Sequence, residues 1–124
     1  MKIGVLTCTR ADYGIYRPLL TKIKADTRFD LEIIAFGMDL QASQGNTIEA
    51  LLKDWYAKIK KVGSMHEGDS IFDIAYGYGA LVSDFARFWQ EHYFDHIFAL
   101  GDRWEMSAAV QASIPYKLKI AHLH

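Results

Sequence analysis

Short apolar, β-branched runs alternate with longer segments of helical periodicity along almost the whole chain, and few folds accommodate that order. Lys2–Thr9 (KIGVLTCT) carries few charges, as a strand covered on both faces does. Tyr16, Leu19, Leu20 and Ile23 then recur at helical spacing, with Pro18 expected in or near the first turn, where a missing N–H is tolerated. Phe29–Phe36 reads as a second strand ended by Gly37. Thr47 is placed to cap a helix through Trp55, with Ile48, Leu51, Leu52 and Trp55 on one face. Lys58–Val62 suits an edge or third strand. From Asp69 or Ser70, the positions of Ile71, Ile74, Leu81, Val82, Phe85 and Trp89 predict a long helix ending near His92. Gly77 and Gly79 weaken its intrinsic helicity and point to close packing. Asp95–Gly101 reads as a fourth strand, Trp104–Ser113 as a helix, and Tyr116–His122 as a fifth strand after Pro115.

This alternation implies right-handed crossovers and an α/β fold, a parallel sheet with helices on both faces. The doubly wound, Rossmann-like order 3-2-1-4-5 sets strands 1 and 4 side by side, and a crevice opens at their carboxyl ends where the winding reverses. The 124 residues match one domain, with 51% apolar and 23% charged side chains, the balance of a globular protein. A net charge of −1 gives no reason to expect nucleic acid or an anionic membrane surface. Thr7, Thr9 and Arg10 interrupt the first apolar run before a secretory segment could form, so the cytoplasm is the default location. A single cysteine, Cys8, cannot form an internal disulfide and reads as a small core residue. A chain closing on IAHLH, a strand-like run and two histidines, is expected to be the first part of a longer protein.

Two polar loops fall at the expected crevice: TRADYG after strand 1 and LGDRWE after strand 4. Arg10 and Arg103 each present a planar donor fork suited to phosphate, and both precede helices whose N-termini favour anions. Gly14 would let a phosphate or a ring approach the backbone closely. The alternative is that Arg10 pairs with Asp12 and Arg103 with Glu105 as solvated loop ions. Gly101 at a strand end lets the Asp102 carboxylate project into the crevice, where partial burial would suit it to acid–base work. A helix N-cap is the competing role for Asp102. His122 and His124 alternate along strand 5 and share one face, while Gly37, Met38 and Asp39 form the neighbouring loop. No third ligand joins the histidines at metal spacing, so no metal and no cofactor is expected. The sequence has no P-loop, and YGYG at Tyr76–Gly79 lies in a helical segment, not after a strand.

TRADYG, GMDLQASQGNT (Gly37–Thr47), LGDRWEM and IPYKLKIAHLH, in that order, resemble the N-terminal domain of the hydrolysing UDP-N-acetylglucosamine 2-epimerases. The resemblance spans the chain and implies one half of a two-domain glycosyltransferase-B-type enzyme. A C-terminal domain supplying most of the nucleotide pocket would then lie outside residues 1–124. It implies conversion of UDP-N-acetylglucosamine, or a related amino-sugar nucleotide, to UDP and a free N-acetylmannosamine-type sugar. It further implies homo-oligomers of the full-length protein. By motif, Asp102 matches the acid–base carboxylate, and Arg10 with the backbone of Ala11 and Gly14 matches the group that reaches UDP. Asp12 and Gly101 fall in the same two motifs, Arg103 would assist at phosphate, and His122 matches a substrate-side histidine. Asp39 stands where relatives often carry histidine, and His124 where several carry a catalytic glutamate. A glycosyltransferase of the same architecture, or a stand-alone Rossmann-like binding module, is the competing reading.

Overall fold

In the computed structural model, which describes residues 1–37, 53, 58–63 and 68–123, five strands form one parallel sheet in the order β3-β2-β1-β4-β5. The strands are β1 (Lys2–Thr7), β2 (Asp30–Ala35), β3 (Ile59–Lys61), β4 (His96–Leu100) and β5 (Ile120–Leu123). The helices α1 (Arg10–Ala25), α2 (Ile71–Glu91) and α3 (Trp104–Ser113) connect them. The doubly wound order expected from the sequence is therefore the observed one. Ile3 through Thr7 are buried without interruption in β1, so both faces of the central strand are covered. Its register against β4 pairs Ile3 with His96, Gly4 with Ile97 and Val5 with Phe98. Gly4 lies at this contact because a Cβ there would sit 2.7 Å from Ile97 Cδ1 and 2.9 Å from Phe94 Cδ1.

Strand β1 ends at Thr7, two residues early, because Thr9 is taken as the N-cap of α1. The Thr9 hydroxyl accepts from Asp12 N at 3.2 Å, and the Asp12 carboxylate accepts from Thr9 N at 3.1 Å, a reciprocal capping box. With the helix starting at Arg10, Pro18 lies in its interior instead of its first turn. It withholds the N–H that the Gly14 carbonyl would accept, and both residues lie on the solvent side, where water can satisfy that oxygen. Tyr13, Tyr16, Leu20 and Ile23 form the buried face of α1.

Helix α2 follows its expected span, with Ser70 as N-cap accepting from Asp73 N at 3.0 Å and His92 as C-cap. Its Phe85 meets Phe36 edge-on with centroids 4.8 Å apart, and Trp89 Nε1 donates to the Ala109 carbonyl at 3.1 Å. Ala108, Ala109 and Ala112 on α3 are buried and small. Gly77 is buried, whereas Gly79 has open space where a Cβ would go, so close packing holds for the first alone. The last strand starts four residues later than expected: Ile114–Tyr116 form a 3₁₀ turn, and Lys117 takes a left-handed conformation (φ 55°) before β5 begins. The helix expected over Thr47–Trp55 lies outside the described residues apart from Lys53.

Candidate functional site

Strands β1, β2, β4 and β5 all deliver their carboxyl ends to one side of the sheet, and β1 and β4 are neighbours there. This is the topological switch point of a doubly wound sheet. Two turns of left-handed backbone, Gly37 (φ 60°) after β2 and Gly101 (φ 76°) after β4, bend the chain out of the strands at that level.

TRADYG is the first turn and a half of α1, not a free loop. Arg10 is its first residue, and Ala11 and Gly14 are exposed on it. Asp12, expected among the ligand contacts, is turned onto its own chain. Its Oδ2 accepts from Cys8 N at 3.1 Å, Thr9 N at 3.1 Å and the Cys8 thiol at 3.2 Å, and the residue is 8% exposed. Burial raises the Cys8 pKa far above its ordinary value, Asp12 and Glu105 reinforcing the shift and Arg103 opposing it. Tyr16 is raised likewise, by burial first and then by Asp12 and Cys8, and its hydroxyl is buried with no hydrogen-bond partner.

After β4, Gly101 N donates to the Leu123 carbonyl at 2.9 Å, tying the turn to β5. His122 Nε2 lies 2.6 Å from the Gly101 carbonyl oxygen. Asp102 is exposed, not partly buried, and its carboxylate forms no hydrogen bond or ion pair with the described residues. Nor does it cap α3: the N-cap is Arg103, without a side-chain cap bond. Arg103 Nη2 donates to Glu105 Oε2 at 3.0 Å, the pairing foreseen as the alternative. The partner is not a solvated ion, however, because the Glu105 side chain is 3% exposed against 44% for Arg103. The bond to Glu105 raises the Arg103 pKa and burial opposes it. Glu105 is the residue that sequence reasoning undervalued, since a carboxylate normally marks the surface.

Asp102, Gly101, Arg103 and His122 are thus brought together beside the α1 N-terminus that carries Arg10, Ala11 and Gly14. Asp39, His124 and the Arg10 side chain lie outside the described residues. Among the described residues no group of His, Cys, Asp and Glu could hold a metal ion, and no helix is long and apolar enough to cross a membrane.

A family model described as UDP-N-acetylglucosamine 2-epimerase matches residues 21–124. That match begins inside α1, so Thr7–Gly14 precedes it. The UDP-N,N'-diacetylbacillosamine 2-epimerase (hydrolyzing) of Legionella pneumophila is 34% identical over 125 residues, covering 99% of this chain and 33% of that protein. Polysialic acid biosynthesis protein P7 of Escherichia coli is 29% identical over 123 residues, covering 99% and 32%. The chain therefore spans about a third of the length of these curated relatives. Among solved structures, a UDP-N-acetylglucosamine 2-epimerase superposes with a TM-score of 0.79 at 15% identity, over 98% of this chain and 32% of that one. The Neisseria meningitidis enzyme bound to UDP-GlcNAc gives 0.74 at 14% identity, over 98% and 32%. At such identities the likeness is one of fold.

Proposed function

Because the chain belongs to the UDP-N-acetylglucosamine 2-epimerase family, we propose that it is the N-terminal domain of a cytoplasmic, hydrolysing sugar-nucleotide 2-epimerase. Its substrate is UDP-N-acetylglucosamine or a related amino-sugar nucleotide, a diacetamido sugar included, and its products are UDP and the free C2-epimerised sugar. A second domain, beyond residues 1–124, supplies most of the nucleotide pocket and closes the cleft, and the whole protein works as a homo-oligomer.

In this reading a base removes the proton at C2 and UDP departs from C1 with the bonding pair, leaving a glycal-type intermediate. Water then adds its hydroxyl at C1 and a proton returns to C2 on the opposite face. Asp102 serves as an acid–base group, with His124 as the second. Arg103, Arg10 and the N-terminus of α3 receive the diphosphate whose charge grows as the C1–O bond breaks. Ala11 and Gly14 offer backbone to the nucleotide, His122 faces the sugar, and Asp39 is a further substrate contact. Gly101 supplies the turn that carries Asp102 out of β4. Asp12 acts one step back, by fixing the start of α1.

The observation that carries this reading is Asp102, exposed at the switch point, unused as a helix cap and adjacent to an arginine. The test is turnover by the full-length protein, followed by release of UDP and of reducing sugar from UDP-N-acetylglucosamine and from its diacetamido analogue. Asp102→Asn is expected to lower kcat by roughly 10²–10⁴-fold with the fold intact. An unchanged rate removes Asp102 from the chemistry. Transfer of the sugar to an acceptor, without free sugar, would instead indicate a glycosyltransferase.

A further inference from the structure

We propose that Glu105 is a positioning residue: its buried carboxylate holds the Arg103 guanidinium at the crevice before an anionic ligand arrives. The proposal rests on the reading of the crevice as a sugar-nucleotide site and names how its diphosphate end is prepared.

The ion pair is lopsided. Glu105 is 2% exposed, whereas nearly half of the Arg103 side chain reaches solvent. Only Oε2 of the carboxylate is used, by Arg103 Nη2 at 3.0 Å, and Oε1 is buried with no hydrogen-bond partner. An exposed pair of this kind would need no explanation, since it would contribute little. A carboxylate withdrawn from water is different, because desolvation commonly offsets the attraction and an apolar residue would serve stability as well. An unpartnered second oxygen adds to the cost. Local stability therefore does not account for a glutamate here.

Its placement does. The carboxylate is held by its surroundings: Gly37 turns over it with φ 60°, and a Cβ on Gly37 would lie 3.3 Å from both Glu105 Cγ and Cys8 Cβ. The ends of β1 and β2 and the first turn of α3 thus converge on one acid, which reaches up to one arginine. That arginine is the N-cap of α3 and makes no side-chain cap bond. Arginine is long and loses much rotamer freedom when a ligand orders it, so a guanidinium fixed in advance strengthens binding by about three- to tenfold.

The experiment measures UDP affinity by calorimetry, together with KM and kcat, for the full-length protein and for Glu105→Gln, Arg103→Gln and the double variant. Glu105→Gln preserves shape and removes the charge that orients the guanidinium. It is expected to keep the melting temperature, to raise the UDP Kd and the KM about three- to tenfold, and to affect KM more than kcat. In the Arg103→Gln background the same change should add nothing to Kd, because Glu105 acts only through that side chain. An unchanged UDP Kd in folded Glu105→Gln, or an equal further loss in the double variant, would overturn the proposal. Wild-type protein that binds UDP but releases no free sugar would overturn the epimerase reading and leave the Kd comparison decisive for Glu105. Wild-type protein that does not bind UDP would overturn both.

Discussion

Cys8 illustrates how one side chain can sit at a site and take no part in its chemistry. Its thiol donates to Asp12 Oδ2 at 3.2 Å and the residue has no exposed surface. Burial, then the Asp12 and Glu105 carboxylates, disfavour the thiolate, which is the reactive form. Native protein at pH 8 is therefore expected to resist a thiol-specific reagent that labels the urea-unfolded chain within minutes. Rapid labelling of the native state would contradict the burial. The same shift has a thermodynamic sign. The folded state holds the proton more tightly than the unfolded chain, so stability is full below the ordinary thiol value of 9.0 and declines as pH rises past it. The core role of Cys8 was legible from its place in an apolar run. Glu105 was not, because residue type argues for solvent and only the convergence of three elements puts it inside.

At the scale of elements, periodicity and caps gave most of the architecture. Ser70 before an apolar 3.6-residue pattern predicts α2, and Trp104–Ser113 is α3 as read. The start of α1 is harder to place from sequence. Thr9 and Asp12 are a capping box three residues apart, a signal present in the sequence, but an arginine and an aspartate between strand and helix fit ligand chemistry equally well. The 3₁₀ turn at Ile114–Tyr116 escaped because a Pro115 between apolar residues fits a strand boundary as well as a turn. Gly14 now sits in a helix with no atom within 4 Å of where a Cβ would go. Gly14→Ala is thus expected to stabilise the fold by about 0.5–1 kcal/mol in urea unfolding. If the nucleotide lies against this backbone, the same change weakens UDP binding. A stabilised variant with unaltered affinity would remove Gly14 from the contact surface.

At the scale of the whole molecule, the crevice competes with a cleft of about 500 Å³ at the opposite end of the sheet, bounded by Met1, His92, Tyr93, His96 and Lys119. Topology favours the carboxyl ends. Titrating UDP into isotope-labelled protein should shift amide signals near Arg10–Gly14 and Gly101–Glu105 and leave those of His92–His96 in place. Shifts confined to the latter would move the site. The central strand carries one more consequence. Lys2 N meets the Asp95 carboxylate at 2.6 Å across 93 positions of sequence, and every bond between β1 and β4 closes a loop of similar length. Such contacts form slowly, since the entropy of closure is lost before they contribute. During synthesis β1 can pair with β2 early, but its other edge waits, apolar and unpaired, until β4 emerges. The crevice therefore exists only once β4 has docked, and conditions that delay β4 expose an adhesive edge for as long as the delay lasts.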